Sequence, residues 1–551
     1  MSEKSKAISV LVANTSAFIV CFACWMLYGV LITFLVDSGL YKWDAAQMGW
    51  LIGIPVLTGS IMRLPIGVLT DRFGGRPVFA ILMLVSALCM YCVSLCNSYI
   101  EFLIAGLGFG LSGASFAVGI AYTSVCFPKT QQGTALGIFG AGNAGASITT
   151  LCAPLLLSHL TGGMQHLEGW RTLPQIYAVV LVLTTIMFWL LTFPKKANKQ
   201  GVTIMQQLAP LKELRVWRFG LYYFFVFGGF VALAQWLVPY YLNVYGMTLA
   251  MAGLMASIFS LPSGVIRALG GWLSDKFGAR SVMYAVLLSC LVSAIFLSIP
   301  RMDIESPGQG LMALKKGVVR SVSSSEIVVD DKHYVLRDRQ NEKILTIFKD
   351  SKETIIWPTF SSWQDPVVKV GDSVSKKQLL ARGVTHIFFQ ANVWIFTILV
   401  LIMGVMTGIG KAAVYKHIPD YFPNDVGVVG GIVGVIGGLG GFVGPILFGA
   451  MLQETGIWTT CWMFFAALSA VCLVWMHATI SKMMNLQAPQ LKNSIENTAY
   501  SIEGIMQQQD SAAASGPIGS LSFASEPAGR SASPYQDQNP VNIEKLIDTS
   551  A

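Results

Sequence analysis

The sequence predicts an all-α membrane protein. Twelve transmembrane helices fall in two pseudo-symmetric six-helix halves, with a small extracytoplasmic β module inserted between helices 9 and 10. Three observations predict it. First, 54% of the 551 residues are hydrophobic and 12% are charged, about half the charged share of a soluble domain, and the mean hydropathy is +0.60. A water-soluble surface over the whole chain is excluded, and the soluble enzyme classes with it. Second, twelve apolar runs are long enough to cross a hydrocarbon core of about 30 Å, which takes about 20 helical residues. Third, a patterned segment of the first half recurs in the second.

The runs lie at roughly 10–36, 47–70, 77–97, 101–126, 133–158, 172–194, 217–243, 249–273, 280–299, 393–416, 427–452 and 457–482. The first is too long for a signal-peptide core and is followed by no small-residue cleavage site, so it reads as an uncleaved span. Loops after even-numbered spans carry Arg72, Arg76, Lys129, Lys195, Lys196, Lys199, Lys212, Arg215, Arg218, Lys276 and Arg280, whereas those on the other side carry little beyond Lys42 and Arg171. The positive-inside rule then puts both termini in the cytoplasm of a multi-pass inner-membrane protein. The net charge of +8 is that loop bias. It forms no patch, so no nucleic-acid partner is expected. The ten cysteines all lie in apolar runs. Cys21 and Cys24 have metal or redox spacing but sit among Val, Phe, Ala and Trp on a helix, where small packing residues are the expected role.

The repeat is explicit. Residues 63–76 read RLPIGVLTDRFGGR and residues 267–280 read RALGGWLSDKFGAR, matching at an offset of 204. FPKTQQGTALGIFGAG (127–142) matches FPNDVGVVGGIVGVIG (422–437) at 294 to 295. The halves therefore read as parallel six-span copies, 1–195 and 217–300 plus 391–482, joined by a cytoplasmic linker at 196–216. The growth in offset marks an insertion of about 90 residues between spans 9 and 10. That insertion, 301–390, holds 14 Lys/Arg and 11 Asp/Glu. GVVRSVSSSEIVVDD and HYVLRDRQNEKILTIF have the look of short strands. VVKVGDSVSKKQLLARG is similar to half of a biotinyl/lipoyl barrel sandwich, yet no Met-Lys-Met-like hairpin is present, so a β module without a cofactor is expected. Residues 483–551, rich in Gln, Ser, Ala, Asn and Pro, read as a disordered cytoplasmic tail.

The intramembrane charges point to the chemistry. The apolar stretches hold no Asp or Glu beyond Glu101 at an edge, but Arg63 in span 2 and Arg267 in span 8 each precede a loop aspartate by eight residues. At 1.5 Å per residue they lie about 12 Å inside the membrane, deeper than an arginine snorkels. Two unneutralised guanidinium groups near the repeat axis make an anion site, and the planar fork suits a planar oxyanion. Span 5 reads GIFGAGNAGAS, with Gly137, Gly140, Gly142, Asn143 and Gly145. Span 11 reads GGIVGVIGGLGGFVG, with Gly431, Gly434, Gly437, Gly438 and Gly441. Small residues let helices approach closely in lipid, and their recurrence suggests a sliding or hinge surface beside the substrate path. Asn143 either donates to the anion or bonds a neighbouring helix. Asp71, Arg72 and Arg76, echoed by Asp275, Lys276 and Arg280, read as cytoplasmic gate loops.

These features together resemble the nitrate/nitrite porter family of the major facilitator superfamily, over about residues 10–300 and 390–482. The resemblance implies that Arg63 and Arg267 hold the anion, that 137–147 and 431–444 are the family's two signature stretches with Asn143 at the asparagine, and that aromatics sandwich the substrate. Phe116 and Tyr223 match such residues, and Tyr415 is aligned with the other wall. Two features depart from the plan or narrow it. The insertion is outside the usual layout. Lys411 and Lys416 in GIGKAAVYKHIPDYFP look like the branch thought to run as proton symporters, which makes Lys411 a candidate for proton coupling unless both lysines face the cytoplasmic mouth. The expectation is a secondary transporter of nitrate and/or nitrite, functional as a monomer in the lipid bilayer and without cofactor or metal. Proton symport is expected, with nitrate/nitrite exchange as the alternative. A carrier of formate or oxalate and an anion sensor are the other readings; an enzyme is not expected, since the six histidines show no metal-ligand spacing and there is no Walker loop.

Overall fold

A computed structural model describes residues 3–195, 209–337, 359–422 and 426–487. Among them eleven helices are long and apolar enough to cross a membrane, and a helix pair bent by 49° passes the same test when taken together, for up to twelve spans. Residues Met1–His477 form one compact unit, and Ala478–Ala551 a second. Most of the linker 196–216, part of the insertion (338–358) and the tail beyond 487 lie outside the described residues, so the expectations for them are not addressed by the structure.

Several spans are broken. Span 1 is α1 (Glu3–Trp25) and α2 (Leu27–Asp37), and span 2 is α3 (Ala45–Ile61) and α4 (Arg63–Phe73). Span 3 is α5 (Gly75–Val93). Span 4 joins α6 (Tyr99–Phe109) to α7 (Ser115–Cys126) through a 3-10 turn at Gly110–Ala114. Span 5 joins α8 (Lys129–Gly140) to α9 (Gly145–Leu160) through another at Ala141–Ala144, and α10 (Thr172–Leu191) completes the half. In the second half a π turn at Phe224–Gly228 links α11 (Leu214–Tyr223) to α12 (Gly229–Tyr245). Span 8 is α13 (Leu249–Val265) and α14 (Arg267–Phe277), followed by α15 (Ala279–Leu297), α16 (Val393–Tyr421), α17 (Val426–Thr455) and α18 (Thr460–Gln487). Such 3-10 and π interruptions inside long helices concentrate at functional sites.

The repeated segment folds alike in both halves. Asp44 and Ser98 close capping boxes at α3 and α6 with Gln47 and Glu101, a start signal legible in sequence. At the other end of span 2, Thr70 donates to the Ile66 carbonyl at 2.7 Å, and Gly74 turns the chain with φ 90°. In span 8, Ser274 donates to the Gly270 carbonyl at 2.7 Å and Gly278 turns with φ 83°. Only glycine adopts that backbone without strain.

The halves approach closely toward one end of the bundle. A Cβ on Gly53 of α3 would lie 2.8 Å from the Phe442 carbonyl of α17, and one on Gly29 of α2 would lie 2.8 Å from Gln235 Cα of α12. Toward the other end, where Glu3 and the Gly74 and Gly278 turns lie, a Cβ on Gly67, Gly137 or Gly271 would meet nothing within 4 Å.

Within 301–390, seven strands are described: β1 (Met302–Met312), β2 (Gly317–Val322), β3 (Glu326–Val329), β4 (Lys332–Val335), β5 (Thr359–Pro366), β6 (Ser373–Val374) and β7 (Leu379–Phe389). They make two sheets, β1-β7-β5 and β4-β3-β2-β6, with antiparallel neighbours. Val319, Ile327, Val374 and Leu380 are among the residues of a shared apolar cluster.

The close approach at Gly53 gives a prediction. Gly53→Val forces two isopropyl methyls toward a backbone carbonyl, overpacking of the kind that costs about 1–3 kcal/mol. The detergent-solubilised variant melts several degrees below wild type; an unchanged melting temperature rejects the tight α3–α17 contact.

Candidate anion-binding site

The break at Met62 makes Arg63 the first residue of α4, and the break at Ile266 does the same for Arg267 and α14. Each guanidinium thus leaves the backbone at a helix start in mid-span. Arg63 is buried, 4% exposed. Its Nη1 donates to the Gly434 carbonyl at 2.7 Å, while Nε and Nη2 are buried without a partner among the described residues. Arg267 is partly exposed, and its Nη1 is likewise buried and unpartnered. No ion pair reaches either arginine among the described residues.

Phe116 of α7 lies between them. The Arg63 guanidinium carbon is 5.6 Å from the ring centre and that of Arg267 is 5.4 Å away, so two cations share one buried ring as cation–π partners. Trp25 and Phe227 flank Arg63 at 5.7 and 5.0 Å. Tyr415 flanks Arg267 at 5.3 Å. Trp25 is locked in place: its Nε1 donates to the Pro55 carbonyl at 2.9 Å, and a Cβ on Gly59 would meet its indole. The π turn sets the Tyr223 and Phe227 rings parallel, 5.1 Å apart with an interplanar angle of 4°. Tyr415 stands edge-on to Tyr223 at 4.9 Å and donates to the Gly430 carbonyl at 3.0 Å.

The glycines give these side chains room. A Cβ on Gly140 would sit 3.2 Å from Arg267 Cδ, and one on Gly434 would sit 3.1 Å from the Tyr415 hydroxyl and 3.8 Å from Arg63 Nη1. A Cβ on Gly437 would collide with the Tyr223 ring, and one on Gly438 with Ser60. Gly142, Gly145 and Gly441 instead face Phe18, Ile19 and Val231, and Gly431 faces Leu64. Asn143 is fully buried with both side-chain polar atoms unpartnered among the described residues. Among the described residues no side-chain hydrogen bond joins it to either arginine or to another helix.

The two lysines of span 10 part company. Lys411 is fully buried, its Nζ 3.0 Å from both the carbonyl and the hydroxyl oxygen of Ser263 and 3.2 Å from the Phe230 ring centre. Lys416 instead pairs with Asp275 of the repeated loop at 2.6 Å and is exposed. The other loop residues are held locally. Arg76 donates to the Trp189 carbonyl at 2.6 Å and stacks on its ring, and Arg280 donates to the Tyr421 hydroxyl. Arg72 lies over Phe73, and Lys276 over Trp272 and Phe277.

Trp25 and Phe227 were not singled out from the sequence. Phe227 had a signal, being one turn beyond Tyr223, but the π turn that makes the two rings stack leaves no trace in the residue pattern. Trp25 is one aromatic among many in an apolar run.

Among the described residues no three His, Cys, Asp or Glu side chains are grouped so as to hold a metal. The profile of the Major Facilitator Superfamily matches residues 14–314 and 379–502, leaving out most of the insertion. The chain is 37% identical over 502 residues to a probable nitrate/nitrite antiporter, NarK1, of Thermus thermophilus, covering 90% of this chain and 96% of that one. It is 25% identical to the nitrite extrusion protein of Bacillus subtilis, covering 83% and 91%. In three dimensions it superposes on a bacterial homologue of the human lysosomal transporter Spinster in an inward-facing, occupied conformation. That match has a TM-score of 0.55 at 15% identity and covers 87% of this chain and 96% of the other, a likeness of fold alone. The chain belongs to the major facilitator superfamily and, within it, to the nitrate/nitrite porter family: it is a multi-pass membrane transporter, not an enzyme.

Proposed function

We propose that the protein carries nitrate and/or nitrite by alternating access, with the anion held between Arg63 and Arg267 over the face of Phe116. One observation carries this reading: two like-charged guanidinium groups meet on a single buried ring with N–H donors unspent and no carboxylate paired to them among the described residues. A planar oxyanion supplies both the charge and the acceptors that this arrangement lacks, through charge-assisted hydrogen bonds. Tyr223, Phe227 and Tyr415 form apolar walls that exclude larger, more polar solutes. Asn143 contributes its amide from span 5.

The empty Cβ spaces at Gly67, Gly137 and Gly271 support a path from the arginines toward the end holding the termini. With both termini cytoplasmic, such a path opens inward. Anion binding screens the repulsion between the arginines and lets the halves close. The glycine faces of spans 5 and 11 are then the surfaces that slide, and the repeated loops at Asp71 and Asp275 act as cytoplasmic gates. The Asp275–Lys416 pair holds the second of these loops within its own half. The protein works as a monomer in the inner membrane, driven by a gradient.

Proton symport and nitrate/nitrite exchange are both compatible with this site. Lys411 is the candidate for proton coupling in the first. The second is favoured by the absence of an intramembrane carboxylate and by the antiporter name of the Thermus relative.

Two measurements test the reading. In liposomes of purified protein, Arg63→Ala or Arg267→Ala weakens nitrate binding about 10–100-fold, the loss expected for hydrogen bonds from a charged donor worth about 1.5–3 kcal/mol, with the folded protein unchanged on gel filtration. Normal uptake in either variant sinks the proposed site. Separately, uptake of external nitrate is followed with an inward proton gradient or with trapped nitrite. Uptake that follows the proton gradient and ignores nitrite makes the protein a symporter; the reverse makes it an exchanger. Uptake under neither condition rejects nitrate transport and brings forward a carrier of another small anion or a sensor.

A further inference from the structure

Spans 2 and 8 are broken at matching places, yet only span 8 is bent by more than 40° among the described residues. Its bend lies at Ile266, between the end of α13 and Arg267. Pro262 clashes with the carbonyl four residues before it, which acts earlier in α13. The Ser263–Gly264 pair makes a bend possible but does not choose its angle. The last four carbonyls of a helix have no donor within it. Ile266 N donates to the Pro262 carbonyl at 2.9 Å. The next carbonyl, that of Ser263, accepts from Lys411 Nζ at 3.0 Å.

We infer that Lys411 is a positioning residue: its ammonium caps the C-terminal end of α13 and so sets the angle at which α14 presents Arg267. The contact set fits a cap. Nζ donates to the Ser263 carbonyl and hydroxyl, that hydroxyl lies 3.1 Å from Thr407 Oγ1 on the lysine's own helix, and Phe230 of α12 closes the remaining side. Arg267 acts on it as a like charge, and no carboxylate pairs with the ammonium among the described residues. A cation at a helix C-terminus also complements the partial negative charge there, an interaction that the low-dielectric interior strengthens. Span 2 has glycine, Gly59, at the offset of 204 from Ser263. At the offset of 295 that aligns FPKT with FPND, the counterpart of Lys411 is Phe116. The half without a lysine at this place is the half without the sharp bend. The cap also links the charge on Lys411 to the place of Arg267, the anion ligand of the reading above, on which the transport arm of the test rests.

The test has two arms. Spin labels at the exposed Met251 and Phe277, in a background with the native cysteines replaced, span the bend. Straightening it lengthens their separation by about 3 Å at 1.5 Å rise per residue. Lys411→Met produces that lengthening or a broadened distribution; Lys411→Gln, which keeps a donor and loses the charge, falls between; Ser263→Ala, which keeps the carbonyl, stays near wild type. In the second arm, nitrate counterflow without a pH gradient shows KM raised about tenfold in Lys411→Met with the maximal rate within about twofold of wild type, the signature of a misplaced ligand. An unchanged label distance in both Lys411 variants overturns the cap. So does an unchanged KM with loss of proton-driven uptake alone, which makes the lysine a proton carrier. If wild-type protein moves no nitrate, the anion reading fails while the label distances still decide the cap.

Discussion

Two positive charges held against one apolar ring are the constraint from which the rest of the bundle follows. Arg63 and Arg267 lie within about 5.6 Å of the Phe116 ring centre. Burying like charges together is costly unless something compensates. The protein supplies part of that compensation from backbone and aromatic faces: the Gly434 carbonyl, Trp25, Phe227 and Tyr415. These are weak, neutral partners. They hold the guanidinium planes without cancelling their charge, and so leave the site electrostatically unfinished.

That constraint explains the local irregularities. Arg63 and Arg267 each begin a helix after a one-residue break, which frees the chain to aim a side chain inward at mid-span. The π turn in span 7 brings Tyr223 and Phe227 into register. Glycines of spans 5 and 11 stand where a side chain would strike Arg267, Tyr223, Tyr415 or Ser60. These departures from a regular helix lie around the two arginines and the aromatic rings beside them, as expected if local rules are broken where function requires it.

Much of this was legible in the residues. Apolar run length placed the spans, the offset of 204 paired the arginines, and the absence of carboxylates gave the site its sign. What was not legible depends on contacts between distant segments. Neither Met62 nor Ile266 is a helix breaker, so the breaks beside them have no local signature. Phe227 and Trp25 are indistinguishable from lipid-facing aromatics until neighbouring helices are in place. The two lysines of span 10 lie five residues apart and read alike, yet Lys411 is buried on Ser263 and Lys416 pairs with Asp275. In the insertion, the β-branched runs predict strands. The long β1–β7 pairing went unseen because its partners are about eighty residues apart in sequence.

That pairing has a mechanical consequence. β1 begins five residues after the end of α15, and β7 ends four residues before the start of α16. Connectors this short absorb little rotation, and Gln390 also ties the base of the ribbon to the Val244 carbonyl of span 7 at 3.2 Å. A strand of this length reaches about 36 Å at 3.3 Å per residue, so a 10° tilt of the two helices sweeps its far end through about 6 Å. The ribbon is a pointer fixed to the second half: a small tilt of that half inside the bilayer would become a displacement in water large enough for a pair of fluorophores to follow.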